Sequence, residues 1–390
     1  MLTHFTQLGA TARCRLFNHL PGVIDPRGPA EMVGAALGAT LYMPATRAQL
    51  ARDLGKAAER GVVCTVVCLE DAISDHEVPA AQAHAVHELT QLDQDGGVRP
   101  LVFVRVRHPD QVGELTAALG VHAGVVAGFV LPKFTDTRGG AFLDAVAVAS
   151  ERTGNRYLAM PVLESPVLMH RESRVDALLG IARLLDKHRE RVACVRIGAT
   201  DLSAALGIRR PRELTVYDIG PVAHVIDDIV NVLGRADGSG YVISGPVWEY
   251  FAERPRLFKP QLRQTPFDRH KATALRRDLI TEDLDGLIRE VVMDRARGIM
   301  GKTVIHPSHI GVVHALSVVS AEEFADACDI TGLSANGGGV LASGYRNKMN
   351  EAGPHQGWAR ATLRRAGVFG VAAENVGLVD FLEELELAAT

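Results

Sequence analysis

Eight short apolar runs, each followed by a polar stretch with helical spacing, dominate the chain between residues 38 and 318. The runs are apolar on both faces instead of alternating, which is typical of parallel strands covered by helices. Eight strand–helix units in series predict a closed (β/α)8 TIM barrel, an α/β fold. The predicted strands are 38–43, 62–69, 101–106, 125–131, 157–163, 192–198, 241–245 and 301–306.

A doubly wound parallel sheet is the alternative arrangement. It usually carries a glycine-rich turn after the first strand, but here the first strand runs into Pro44, Ala45 and Thr46. With 390 residues, the chain is long enough for a barrel and an appendage. The expected divisions are an N-terminal extension, a barrel, and a C-terminal helical lid or oligomerisation segment, at 1–37, 38–318 and 319–390 respectively.

Composition argues against several classes of function. The formal net charge is −4, which gives the chain no general attraction to nucleic acid or to an anionic membrane surface. No run reaches the roughly 18 apolar residues of a membrane-spanning helix. The N-terminus lacks the apolar core of a signal peptide. Five cysteines without scaffold spacing indicate a reduced, cytoplasmic protein.

Charged side chains stand where the predicted strands end. In a barrel these ends meet at the C-terminal rim, where active sites are built. Each residue alone is compatible with a solvated strand end, but their convergence on one rim predicts an active site. The acidic residues are Glu70, Asp71, Glu164 and Asp201, and the basic residues are Arg47, Arg105 and Lys133.

Glu164 and Asp201 follow adjacent predicted strands. Two carboxylates with open positions between them suit a hard divalent cation such as Mg2+, with Mn2+ as a second option. Arg105 can bind a substrate carboxylate through its planar fork and stabilise a developing enolate. The alternative role of Arg105 is to hold Glu70 or Asp71 in place.

The segments at these strand ends resemble, in order, the motifs of the HpcH/HpaI aldolase and citrate lyase beta-subunit family, which includes malyl-CoA lyase. The matching segments are "LYMPATRAQLARDL", "VVCLEDAI", "VFVRV", "VLPK", "VLES", "IGATDLSAALG" and "GKTVIHPSHI". The resemblance covers about 38–312. It implies a TIM barrel and an Mg2+-dependent lyase that makes or breaks a carbon–carbon bond next to a carboxylate through a metal-stabilised enolate.

The same resemblance implies roles for individual residues. Glu164 and Asp201 correspond to the metal ligands and Arg105 to the substrate arginine. The acidic pair that orders the metal shell and the arginine corresponds to Glu70 and Asp71, and Lys133 is a further catalytic candidate. The candidates for substrate binding beside Arg105 are Arg47, Gly198, Ala199 and Thr200.

The C-terminal segment "GYRNKMNEAGPHQGWA" resembles the family's lid, which supplies a catalytic aspartate to a neighbouring subunit. Glu351 stands where that aspartate would be, and one extra residue precedes Pro354. The resemblance implies a homo-oligomer, a trimer or hexamer, in which Glu351 exchanges a proton with the enolate carbon. A helical cap that covers apolar helix faces is the alternative role for this segment.

Long insertions at 207–220 and 246–271 look more like a divergent bacterial branch found beside tellurium-resistance and stress-response genes. The expected substrate is a small carboxylate, a 2-keto or hydroxy acid, or its acyl-CoA thioester. Two other functions stay open: a metal- or ligand-binding subunit that works only within an assembly, and a thioester hydrolase. The insertions carry cations that either bind a phosphate or nucleotide-like group of the substrate or face solvent, namely Arg209, Arg210, Arg212, Arg254, Arg256, Lys259 and Arg263.

Overall fold

The computed structural model describes residues 2–71, 73–251, 284–335 and 337–389. The described strands are β1 (Phe17–His19), β2 (Ala39–Pro44), β3 (Cys64–Cys68), β4 (Leu101–Arg105), β5 (Val126–Leu131), β6 (Leu158–Leu163), β7 (Val195–Ile197), β8 (Ile243–Ser244), β9 (Lys302–Val304), β10 (Val340–Ala342), β11 (Met349–Glu351) and β12 (Val371–Ala372). Eight of them are parallel and form one sheet, in the order β8-β7-β6-β5-β4-β3-β2-β9. The predicted TIM barrel is confirmed.

Backbone hydrogen bonds beyond β8 join it to β9 and bring the sheet round into a barrel. The amide of Gly245 donates to the Gly301 carbonyl over 3.2 Å, and the amide of Thr303 donates to the Gly245 carbonyl over 3.1 Å. Each predicted strand overlaps one barrel strand. The seventh is shorter than expected, at two residues, because regular pairing begins only at Ile243.

Helices lie between the barrel strands, as strand–helix units require. In the first of them, Leu50, Leu54, Ala57 and Ala58 recur at helical spacing and are buried along one face. The described helices are α1 (Ala10–Leu16), α2 (Ala30–Ala36), α3 (Leu50–Glu59), α4 (Val78–Gln94), α5 (Asp110–Leu119), α6 (Gly139–Thr153), α7 (Pro166–Met169), α8 (Arg171–Asp186), α9 (Ala199–Ala204), α10 (Gly220–Leu233), α11 (Leu284–Ala296), α12 (Ser308–Ser317), α13 (Ala321–Ala335), α14 (Ala352–Phe369) and α15 (Leu378–Ala389).

The end of β6 shows how the sequence places a polar residue at the rim. All six residues of β6 are buried, which explains the continuous apolar run. Ser165 then leads into Pro166, the first residue of α7. Proline lacks a backbone N–H and suits the first helical position, so Pro166 fixes the start of α7 soon after the strand. Glu164 is therefore held at the C-terminal end of the barrel.

The two terminal segments pack together at the opposite, N-terminal end of the barrel. Helix α2 crosses this end closely, since a Cβ added to Gly34 would lie 1.7 Å from the Ala193 carbonyl oxygen. Strand β1 pairs with β12. Helix α14 packs on the same end, where the amide of Gly22 donates to Gly367 and Arg364 pairs with Glu31.

The C-terminal segment begins with helix α13, whose N-terminus is capped by Ser320 and Glu323. The amide of Ser320 donates to the Glu323 carboxylate, and the amide of Glu323 donates to the Ser320 hydroxyl. The glycine-rich stretch at 337–339 has positive φ throughout and leads into the β10–β11 hairpin. In the described part of the chain, no helix combines the length and the apolar character needed to cross a bilayer.

Candidate active site

Arg105, the last residue of β4, lies at the centre of a charged cluster on the rim. Its Nη2 is 2.7 Å from Glu70 Oε2, 3.0 Å from Asp71 Oδ2 and 2.9 Å from Glu164 Oε1. Arg105 is only 8% exposed. One guanidinium nitrogen thus joins carboxylates that follow two different strands, β3 and β6.

Glu164 is the most deeply buried of these carboxylates, with 2% of its surface exposed. Its Oε1 accepts hydrogen bonds from Arg105 and from the backbone amide of Lys133, the latter over 2.8 Å. Burial raises the pKa of Glu164 to about 7, although the charge of Arg105 opposes the shift; nearby Asp201 adds to it. A small change in surroundings therefore changes the charge of Glu164 near neutral pH.

Lys133 takes a backbone conformation that is unusual for a residue with a side chain. Its φ is +48°, in the left-handed region, which costs free energy and is found mostly at functional sites. In this conformation its amide points at Glu164, while its Nζ lies 2.7 Å from Glu70 Oε1. The strained residue therefore contacts two of the buried carboxylates at once.

The neighbouring carboxyl groups of Glu70 and Asp71 have pKa values that are shifted in opposite directions. Burial raises the pKa of Glu70, against the charge of Arg105. Burial also acts to raise the pKa of Asp71, but the hydrogen bond with Glu70 and the charges of Arg105 and Lys133 outweigh it, and the pKa is lowered. Divergent pKa values in adjacent acids favour separate acid and base roles.

Asp201 lies where β7 passes into α9, directly after Gly198, Ala199 and Thr200. Gly198 packs directly on Glu164, since a Cβ there would lie 2.3 Å from Glu164 Oε2. Asp201 stands in the first turn of α9, and its pKa is raised by burial and then by Asp71. Ala199 is buried, and the Thr200 hydroxyl donates to Glu249 Oε1 over 2.7 Å.

The donor set of Glu164 and Asp201 fits a hard cation. The contacts of Glu164 with Arg105 and Lys133 all use Oε1, so Oε2 is left without a partner among the described residues. Nor does the side chain of any described residue bond to the Asp201 carboxylate. Within the described ranges no cluster of three or more His, Cys, Asp and Glu residues forms a metal site. Mg2+ typically takes one or two carboxylates and fills its shell with water and substrate, so two are sufficient.

Glu249 and Arg196 belong to this region but are not among the residues predicted from the sequence. Glu249 follows β8 in the segment "GPVWEY", so its position after a strand is a signal, but it lies five residues beyond the strand while Glu164 follows its strand directly. Arg196, in β7, is 1% exposed. Its Nη1 lies 3.3 Å from Thr40 Oγ1, and its Cζ lies 5.6 Å from the centroid of the Tyr42 ring. The signal for Arg196 is a single cation inside the apolar run "VACVRIG".

Some predicted residues lie apart from the cluster. Arg47 is exposed and pairs with Asp53 at the start of α3. Glu351 is exposed directly before α14, and its amide donates to His355 Nδ1 over 3.1 Å. Because α14 packs on the N-terminal end of the barrel, Glu351 does not join the Arg105 cluster of its own chain.

The arginine side chains of the first insertion, 207–220, do not all face solvent. Arg210 is buried and pairs with the buried Glu290, so its guanidinium is not available to bind a phosphate group of the substrate. The guanidinium of Arg212 lies over the Tyr250 ring at 5.2 Å from its centroid, and Arg209 is exposed. The cations of the second insertion lie outside the described residues: Arg254, Arg256, Lys259 and Arg263.

A family of carbon–carbon bond lyases with the TIM-barrel fold matches residues 31–371. The chain belongs to this family. The expected resemblance and the expected lyase class are thereby confirmed, while the neighbourhood of tellurium-resistance genes stays a prediction. No curated protein sequence matches this C–C bond lyase.

Several solved structures are similar to this C–C bond lyase. CitE from Mycobacterium tuberculosis, in complex with magnesium, acetoacetate and coenzyme A, is 22% identical, with 86% of this chain and 99% of that chain covered and a TM-score of 0.52. RipC from Yersinia pestis is 18% identical, with 73% and 95% covered and a TM-score of 0.45. The citrate lyase beta subunit from M. tuberculosis, complexed with oxaloacetate and magnesium, is 20% identical, with 72% and 96% covered and a TM-score of 0.42. The likeness to CitE shows a shared fold.

Proposed function

We propose that this C–C bond lyase is Mg2+-dependent and acts on a small 2-keto or hydroxy acid or on its acyl-CoA thioester. The bond it makes or breaks lies next to a carboxylate. The observation that carries the proposal is the buried contact between Arg105 and Glu164, surrounded by Glu70, Asp71 and Asp201 on one rim. The magnesium, acetoacetate and coenzyme A bound to the related CitE agree with this class of cofactor and substrate.

Glu164 and Asp201 are the residues that would hold the ion, through carboxylate oxygens not taken by other described side chains. Mn2+ accepts the same type of donor. When bound, the ion acts as a Lewis acid that polarises an oxygen of the substrate.

Arg105 binds the substrate and stabilises negative charge that develops on it. Its Nη2 is engaged by three carboxylates, and none of these contacts uses Nη1. The guanidinium therefore keeps a donor for a substrate oxygen. A fixed cation in a water-poor site stabilises an enolate more strongly than water does.

Asp71 is the group placed to accept the hydroxyl proton during cleavage. Its side chain is 48% exposed, and its lowered pKa keeps it ionised. Glu70 is buried and bonds to both Arg105 and Lys133, so its role is to position these two cations. Because Asp71 is exposed and Glu70 is buried, Asp71 can move a proton while Glu70 keeps Arg105 and Lys133 in position.

Glu351 is proposed to act on the rim of a neighbouring subunit, in a trimer or hexamer. Its exposure leaves the carboxylate free to contact another chain. The position of α14 at the far end of its own barrel separates Glu351 from its own Arg105. A neighbour's Glu351 would return a proton to the enolate carbon.

Calorimetry with Mg2+ tests the metal assignment. We expect Glu164→Gln and Asp201→Asn to abolish Mg2+ binding with an unchanged circular dichroism spectrum. Glu151→Gln, which removes an exposed carboxylate on α6, is the matched control and keeps wild-type binding. Unchanged Mg2+ affinity in the first two variants would refute the assignment.

A substrate screen tests the reaction class. Purified protein with Mg2+ is offered hydroxy acids and acyl-CoA thioesters, and release of pyruvate, oxaloacetate or glyoxylate is read by mass spectrometry. We expect release that disappears in Glu164→Gln. Free coenzyme A without carbon–carbon cleavage would indicate the hydrolase, and Mg2+ binding without any turnover would indicate an assembly-dependent subunit.

A further inference from the structure

A cleft of about 910 Å³ lies between α14 and the N-terminal ends of β8 and β9. It is on the opposite end of the barrel from the Arg105 cluster. Its volume falls in the usual range for small-molecule sites. Five arginines line it, and we call it the arginine cleft: Arg235, Arg295, Arg360, Arg364 and Arg365.

Two carboxylates are shared among three of these arginines. Arg295 Nη2 and Arg365 Nη2 each lie 3.0 Å from an oxygen of Glu323. Arg364 pairs with Glu31. Because Arg295 and Arg365 share one carboxylate, their charges are only partly compensated. Burial, and then the charge of Arg295, lower the pKa of Arg365 to about 10.

The other two arginines form no ion pair with a carboxylate of the described residues. Arg235 donates to the backbone carbonyl of Asn231, and Arg360 makes no hydrogen bond or ion pair to a described residue. The remaining acids of the lining are Asp237, whose charge interacts with that of Arg235, and Asp294. Asp237 accepts from Ser239, and Asp294 accepts from Lys302.

The cleft therefore carries five guanidinium groups against three carboxylates that act on them, namely Glu323, Glu31 and, beside Arg235, Asp237. This local positive excess occurs in a chain with a net charge of −4. The Nε atoms of Arg295, Arg364 and Arg365 are each buried without a hydrogen-bond partner among the described residues. Buried donors without acceptors cost free energy, so the lining holds these three arginines at a cost in stability.

We infer that the arginine cleft is a binding site for a phosphate-bearing small molecule, separate from the carboxylate cluster at the rim. Guanidinium forks match phosphate oxygens in geometry and charge, and several forks together suit a polyanion better than a single carboxylate. Trp358, 42% exposed, lines the same cleft and offers a flat aromatic surface. The shared chemistry is phosphate, carried either by a nucleotide or by inorganic phosphate groups.

Calorimetry with inorganic pyrophosphate and with ADP, both in EDTA, tests the site without any active-site metal. We expect saturable binding of wild type, and a loss of affinity of about tenfold or more in Arg360→Ala and in Arg235→Ala. Both residues are partly or fully exposed and carry no structural ion pair, so these variants keep the fold. Arg152→Ala, on α6, is the matched arginine control, and Arg105→Lys controls for binding at the rim; both keep wild-type affinity.

Tryptophan fluorescence separates the two sources of phosphate. Of the two tryptophans Trp248 is fully buried, so a change in fluorescence on ADP binding reports Trp358. Tighter binding of ADP with such a change supports a nucleotide; equal binding of pyrophosphate and ADP without it supports a site for phosphate groups alone. The inference is overturned if neither ligand saturates up to about 10 mM, if Arg152→Ala weakens binding as much as Arg360→Ala, or if Arg105→Lys abolishes it.

Discussion

Replacing Gly198 with alanine measures how tightly Glu164 is held in the Arg105 cluster. The added Cβ would lie 2.3 Å from Glu164 Oε2 and 2.5 Å from Glu164 Cβ. Both distances are about 1 Å shorter than the 3.4 Å at which ordinary contacts begin. Because the clash includes the Cβ atom, rotation of the carboxylate cannot relieve it, and the strand end or the start of α9 must move.

The size of the effect follows from the bonds that this movement breaks. A shift of about 1 Å lengthens the hydrogen bonds to Glu164 from Lys133 and Arg105, which are 2.8 and 2.9 Å long. Hydrogen bonds to charged groups contribute about 1.5–3 kcal/mol each, and Glu164 is buried away from water. Allowing for partial relaxation, we expect Gly198→Ala to lower the free energy of unfolding by about 3 kcal/mol.

Urea denaturation in EDTA at pH 8 measures the stability change, and calorimetry with Mg2+ measures the effect on the proposed metal site. We expect Mg2+ affinity to fall by at least about tenfold, because Glu164 leaves its position opposite Asp201. Gly113→Ala is the matched control. Gly113 lies inside α5 with no atom within 4 Å of an added Cβ, so alanine there should stabilise by about 0.5–1 kcal/mol.

A Gly198→Ala protein that stays within about 0.5 kcal/mol of wild type, with unchanged Mg2+ affinity, would refute the reasoning. It would mean that Glu164 is loosely held and that the close packing of Gly198 has no bearing on the carboxylate cluster.

Three further outcomes are expected. Arg105→Lys keeps the charge but loses the planar fork, and turnover should fall at least about tenfold, or about 1.4 kcal/mol of transition-state stabilisation; near-wild-type kinetics contradict this role. In EDTA, wild type should lose stability as the pH rises from 4.5 through 7, because the folded state holds the Glu164 proton up to a pKa of about 7 while the unfolded state releases it near 4.5. Glu164→Gln should lack this loss, which amounts to about 3 kcal/mol of the free energy of unfolding by pH 8. If the stabilities of the two proteins change with pH in parallel, the raised pKa of Glu164 is refuted. Mixing inactive Arg105→Ala with inactive Glu351→Gln subunits should restore part of the activity if Glu351 acts on a neighbour, whereas no recovery under proven subunit exchange excludes the shared site.

The fold and the composition of the rim could be predicted from the sequence for a simple geometric reason. Parallel strands in a barrel all end on the same side, so a residue that follows an apolar run is placed by its position along the chain alone. For this reason the sequence predicts that Glu70, Arg105, Glu164 and Asp201 lie on one rim. Closure of β8 onto β9 follows from the number of strand–helix units.

The contacts within the rim depended on tertiary packing. Arg105 reaches carboxylates beyond both β3 and β6 because a long side chain can turn several ways from one strand end, and only its neighbours select the direction. The left-handed conformation of Lys133 has no sequence signal, since residues other than glycine rarely adopt it. Arg47 meets Asp53 before it can reach the cluster.

Only the tertiary structure determines where the C-terminal segment, residues 319–390, lies on the barrel. The sequence predicts that this segment is helical, but a helix with one apolar face can pack on either end of a barrel. Contacts of α14 with Glu31 and Gly22 place it at the N-terminal end, which removes Glu351 from its own rim and creates the arginine cleft. Sequence periodicity tells which face of a helix is buried; the surface that covers this face is decided by complementarity between segments far apart in the chain.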